Sequence, residues 1–133
     1  MNATRFSGYY LIATGVIHNT LGLVMGWDIL AGMHQDGWWN TIEAGGQINF
    51  ARSAIAWFLL VGFFWMLLGY LMQQWVRHSN RPLPASLGWG MLAAGVSVAI
   101  VLPVSGAWLF IPQGLLILWP HRPVMKGLAG EAH

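Results

Sequence analysis

Charged side chains are sparse along this chain and fall into short clusters, leaving long apolar stretches whose lengths predict the elements. From Gly8 to Trp27 no charge appears before Asp28. Ala54 to Met72 is a charge-free run of 19 residues, extended by Phe50 at one end and Trp75 at the other. A helix crossing a bilayer uses about 20 mostly apolar residues, so each stretch predicts one span. From Pro82 to Pro120 there are 39 residues without Asp, Glu, Lys or Arg. That is about twice what one crossing needs at about 1.5 Å rise per residue. Two crossings are expected, turning at Pro103-Val104-Ser105-Gly106, because proline removes a helix donor and glycine tolerates turn geometry; a re-entrant hairpin is the alternative.

The pattern predicts helices at about 8–27, 50–75, 87–102 and 107–119, the last bent near Pro112. The expected fold is all-α: a four-transmembrane-helix bundle forming a single integral membrane domain over residues 1–133, with an interfacial lid segment between helices 1 and 2. In that lid, Asp28 to Gln47, the residues Trp27, Leu30, Ala31 and Trp38 are expected to cover one side of a short helix. Asp28, Gln35 and Asp36 would then face water, and Gly45-Gly46 would supply a flexible joint. The N-terminal stretch has no small-residue cleavage site, so a retained helix is expected rather than a signal peptide.

Composition reinforces the membrane reading: 56% of residues are hydrophobic and 8% charged, against about 25% charged in an ordinary soluble domain. Cysteine is absent, which excludes disulfides, thiolate catalysis and cysteine-based metal sites. Six Lys and Arg against four Asp and Glu are scattered, so no basic face is offered to nucleic acid. Their placement orients the chain. Arg5, Arg77, Arg81, Arg122 and Lys126 fall on one side of the spans, and Asp28, Asp36, Glu43 and Arg52 on the other. By the positive-inside rule both termini of this multi-pass protein are expected on the cytoplasmic side. Trp27, Trp38, Trp39, Trp75, Trp89, Trp108 and Trp119 near the helix ends suit an interfacial belt.

Membrane helices associate by close approach of small residues. Gly15, Gly22 and Gly26 on the first helix, Gly62 and Gly69 on the second, and Gly88, Gly95 and Ala99 on the third are the expected packing faces. Polar side chains inside a span are costly and usually face a bundle interior or a wet cavity. His18, Asn19 and Thr20, then Arg52 and Ser53, then Ser97 and Gln113 are of this kind. His18, Arg52 and Gln113 are expected to converge on an outward-facing pocket. Asp28, Asp36 and Glu43 are candidate partners for Arg52, and the pairing would close the lid. Gln113 also suits an interhelical hydrogen bond, and Arg52 suits snorkelling to headgroups. No HExxH, Walker A, GxSxG or paired-histidine motif is present. The spacing of His18, His34 and Glu43 favours no metal.

The strings Gly15-Val-Ile-His18, Trp27-Asp28-Ile-Leu-Ala, Asp36-Gly-Trp-Trp-Asn40-Thr, Arg52 to Phe58, Ser86-Leu-Gly-Trp89 and Pro103-Val-Ser-Gly106 resemble a bacterial family of small four-helix membrane proteins, a domain of unknown function. The resemblance spans Gly8 to Leu118. It implies the four-helix fold and, as localisation, a bacterial inner (cytoplasmic) membrane, and it supplies no activity.

The functional expectation is a pocket for a small apolar or amphipathic molecule drawn from the membrane. His18, Asn19, Arg52 and Gln113 are its expected polar contacts, Trp57, Phe58, Phe110 and Tyr10 its apolar walls, and Asp36, Trp38 and Glu43 its lid. No reaction is assignable. One alternative is redox chemistry on haem b or a quinone with His18 as axial donor. Another is a structural subunit whose glycine faces build a homo-oligomer.

Overall fold

The structure, a computed structural model, describes residues 3–79 and 81–119. His121, Arg122, Lys126 and His133 lie outside them. The described chain is helical apart from one short ribbon. Helix α1 spans Ala3–Met25, α2 Trp27–Gln35, α3 Phe50–Ser79 and α4 Ala85–Val101; a 3₁₀ turn, Gly106–Leu109, leads into α5, Phe110–Leu118. Among the described helices one, Phe50–Ser79, is by itself long and apolar enough to cross a membrane, with a mean hydropathy of 2.1 in its most apolar stretch.

Two antiparallel pairs make the fold, α1 against α3 and α4 against α5 with its 3₁₀ lead. Glycine sets both seams. A Cβ on Gly8 would lie 2.6 Å from the carbonyl oxygen of Gly69, and one on Gly69 would lie 2.6 Å from that of Gly8. One heptad along, a Cβ on Gly15 would lie 2.8 Å from the Gly62 carbonyl oxygen. Repetition every seven residues keeps one face of each helix turned to its partner, and the absent side chains let backbone touch backbone. The second pair repeats the device. A Cβ on Gly88 would lie 3.1 Å from the Gly114 carbonyl oxygen, one on Gly114 2.7 Å from that of Gly88, and one on Gly95 3.2 Å from that of Ala107. Gly8 extends a seam whose two sides the sequence showed as Gly15 and Gly62 with Gly69, and Gly114 supplies the α5 side of the second, which the sequence reading missed.

The pairs dock through α1 and α5. Leu11, Met72, Leu83, Met91, Phe110 and Ile117 form the core, flanked by Trp65, Leu68, Val76 and Leu87. Its members from α3 and α4 lie towards the end where Ser79 turns into Ala85, so the core fills that end of the molecule. Gln113, fully buried, crosses the junction: its Nε2 donates to Ser7 O at 3.0 Å and to Ser7 Oγ at 2.8 Å. Tyr10 Oη donates to Leu109 O at 3.2 Å beside it.

Chain turns follow local chemistry. The expected turn at Pro103–Gly106 is present: Ser105 N donates to Leu102 O, and the Ser105 hydroxyl accepts from Ala107 N. Pro112 occupies the first turn of α5, where a missing N–H removes no helical bond. The irregularity expected at that proline lies upstream, where 3₁₀ gives way to α at Phe110. Gly45 and Gly46, at φ 64 and 78, form a two-residue turn between strands β1, Glu43–Ala44, and β2, Gln47–Ile48. Two positive φ values in succession are what such a tight hairpin turn demands, so the expected loose joint is a defined hairpin.

Candidate functional site

The end opposite the core is built from the second half of α1, the first half of α3, and α2 with its following loop. Asn49 caps α3, its Oδ1 accepting from Arg52 N at 3.1 Å, and this starts the helix with Arg52 turned toward the loop. Arg52 Nη2 pairs with Asp36 Oδ2 at 2.6 Å, and Nη1 donates to Thr41 O at 2.9 Å. One guanidinium thus ties both arms of the loop to α3. Of the three carboxylates offered as partners, Asp36 is the one engaged; Glu43 is exposed on the ribbon.

The lid differs in detail from expectation. Helix α2 covers α3 with Met33, which is buried, and with half-buried Leu30 and Ala31, whereas Trp27 and Trp38 are exposed. Trp38 has φ 66, a left-handed conformation uncommon for a bulky residue. It is held there by bonds from its N–H to Met33 O and from Nε1 to His34 Nδ1, both 3.0 Å.

His18 lies below the lid on the α1–α3 seam. Its Nε2 is 3.0 Å from Phe58 O; a carbonyl only accepts, so Nε2 carries the proton in this bond. The ring stacks on Phe58 at 3.7 Å and 13°, and tilts against Trp65 at 4.4 Å. Trp65 in turn meets Phe110 edge-on at 4.6 Å. Gly62 makes the approach possible, because a side chain there would strike His18 Cδ2 and Asn19 Oδ1. Asn19 Oδ1 is buried and has no hydrogen-bond partner among the described residues.

The predicted residues therefore divide into three groups. His18, Phe58 and Asn19 meet on the seam. Arg52 belongs to the lid clamp. Gln113 does not converge with them: it bonds Ser7, eleven residues before His18 and so about 16 Å down α1. Its buried amide locks the two helix pairs together. Trp57 faces outward. Sequence reading passed over Trp65, seven residues after Phe58 and therefore on the same face of α3, and Thr41, whose carbonyl meets Arg52. The i, i+7 aromatic spacing was the available signal for Trp65.

Unequal helix lengths shape the surface at His18. Helix α3 is about 45 Å long and α4 about 25 Å at about 1.5 Å per residue, so the second pair shields only the core end of the first. Exposure along one face of α1 records this: Leu11 is 0% exposed, Thr14 buried, His18 half-buried, Leu21 exposed and Met25 84% exposed. On α3, Met72 is 3%, Trp65 half-buried and Phe58 39% exposed. The result is a step in packing, a notch left where the short pair stops beside the long one, and His18, Phe58 and Trp65 lie where burial falls away. Among the described residues no group of three His, Cys, Asp or Glu is placed to hold a metal. Nε2 of His18, the nitrogen a haem iron would require unless Nδ1 served, is committed to Phe58 O.

These features define a small all-helical protein of two glycine-seamed antiparallel pairs, with a clamped cap at one end. Residues 2–123 match the profile of a Family of unknown function (DUF6463), and the chain belongs to that family. No curated protein and no solved structure matches it.

Proposed function

We propose that the chain is a multi-pass integral membrane protein of the inner, cytoplasmic membrane. It crosses four times, with both ends of the helical unit on the cytoplasmic side, and holds a small apolar or amphipathic molecule in the notch beside His18. Supporting the membrane setting, Val16, Ile17, Val24, Phe63, Phe64, Leu71, Val96 and Ile100 are exposed around the molecule, far more apolar surface than a protein in water presents contiguously. Charge supports the orientation: Arg77 and Arg81 lie at the core end, and Asp28, Asp36 and Glu43 with Arg52 at the other.

The observation that carries the ligand reading is the fall in burial along α1 and α3 through His18. It leaves His18 and Trp65 half-buried and Phe58 39% exposed on a flank that the second pair does not cover, with His18 Nδ1 as the ring nitrogen not used by the Phe58 bond. With Nε2–H donating to Phe58 O, neutral Nδ1 is an acceptor, suited to a hydroxyl or amine at the polar end of a lipid-like molecule. The Arg52 clamp holds the lid above it. Arg52 and Gln113 thus act on the frame rather than on the ligand.

The test is native mass spectrometry of protein extracted in mild detergent, comparing wild type with His18→Ala and Trp65→Ala. A discrete added mass in wild type, lost in both variants while each remains folded, is the expected result. Wild type without any retained molecule, or retention unchanged in both variants, overturns the ligand site.

A further inference from the structure

A second recess lies at the core end. It is an open groove of about 480 Å³ between the close of α3, the start of α4 and the close of α5, lined by Trp75, Leu83, Pro84, Ala85, Ile117 and Trp119, with Arg81 on its rim. Leu83 and Ile117 are buried and make a closed apolar floor, while Trp75 and Trp119 stand exposed as walls. Trp75 Nε1 donates to Pro82 O at 3.3 Å, and Arg81 N to Ser79 Oγ at 3.2 Å. These bonds fix the loop that carries the arginine.

Among the described residues, charge at this end is unbalanced. Arg77 is engaged through a 2.6 Å bond to Tyr9 Oη. The Arg81 guanidinium has no partner among the described residues, and Asp28, Asp36 and Glu43 all lie at the opposite end. An apolar slot with a guanidinium at its mouth that no described residue pairs complements a molecule that has an acyl chain and an anionic head. Tryptophan walls belong at the depth where the two join, and basic recesses on the cytoplasmic side of membrane helices attract anionic headgroups.

We propose that this groove is a binding site for an anionic phospholipid, one acyl chain lying over Leu83 and Ile117 and the phosphate meeting Arg81. The inference rests on the membrane setting proposed above but not on the His18 notch.

The experiment uses the full chain. Its distribution between membrane and soluble fractions is measured first. The detergent-purified protein is then titrated with phosphatidylglycerol or with phosphatidylcholine of identical acyl chains, and bound lipid is counted by native mass spectrometry. Wild type should retain phosphatidylglycerol several-fold better. Arg81→Gln should abolish the preference while leaving the weaker phosphatidylcholine binding in place, and Ala85→Trp, which fills the groove, should lower both. Glycerol phosphate without chains should not compete. A soluble protein would overturn the membrane setting and this site with it. A membrane protein with equal retention of the two lipids, or an unchanged preference in Arg81→Gln, would overturn the lipid site alone.

Discussion

Adding one methyl group at Gly69 should loosen the whole first helix pair. A Cβ there would sit 2.6 Å from Gly8 O and 2.9 Å from Ile12 N, both backbone atoms, whereas ordinary contact begins at 3.4 Å, so the helices must part by about 0.8 Å. Overpacking of this kind costs about 1–3 kcal/mol, and the upper end applies because no side chain can rotate away. Alanine returns about 1 kcal/mol through helix propensity, leaving a net loss of about 2 kcal/mol for Gly69→Ala. Gly90→Ala is the matched control: it lies in α4, where an added methyl would meet nothing within 4 Å, so the propensity gain of up to about 1 kcal/mol is unopposed. Denaturation of both variants in one detergent, followed by tryptophan fluorescence and circular dichroism, should give shifts of opposite sign. Gly69→Ala as stable as Gly90→Ala would refute the backbone-contact seam.

Other side chains yield further outcomes. Gln113→Leu leaves Ser7 Oγ and O without their donor and should cost about 1–3 kcal/mol; pairing it with Ser7→Ala should recover part of the loss, because the stranded hydroxyl goes too. A double-mutant cycle in the same denaturation assay reads this. Arg52→Gln cuts the lid from α3. With Arg52 20% and Asp36 54% exposed, the cost to global stability should stay below about 1 kcal/mol. Hydrogen exchange in residues 28–48 should nevertheless rise sharply while the glycine seams remain protected, and unchanged exchange there would show that the clamp does not hold the lid.

What sequence alone could convey depended on how local each signal was. Charge-free runs and the Pro103–Gly106 turn report on nearby residues, and the four main helical segments overlap the runs that predicted them, although α1 begins at Ala3, ahead of its run, and ends at Met25. Arg52 was linked to the loop carboxylates because one cation faced three anions over a short stretch of chain. Gln113 was different. Whether a buried amide bonds a neighbouring helix or lines a pocket depends on what stands opposite, and Ser7 stands opposite only once the two pairs have docked. Gly8 and Gly114 escaped notice for the same reason: a GxxxG search sees spacing within one helix, while their partners lie across an antiparallel contact. Trp27 and Trp38 were expected to cover α2, yet their indoles lie outside it. Met33 fits the shallow gap against α3 with less bulk.

The disparity between the long first pair and the short second pair also bears on the surrounding lipid. A hydrocarbon layer of about 30 Å is shorter than α3 and longer than α4. In the bilayer proposed for this protein, lipid on one flank must stretch or the long helices lean, while lipid on the other must compress. In that setting the molecule would act as a wedge between leaflet regions of different thickness. It would gain most by settling at thickness boundaries, or by placing its thin flank beside that of a neighbour, so its position in the membrane follows from how soon α4 ends.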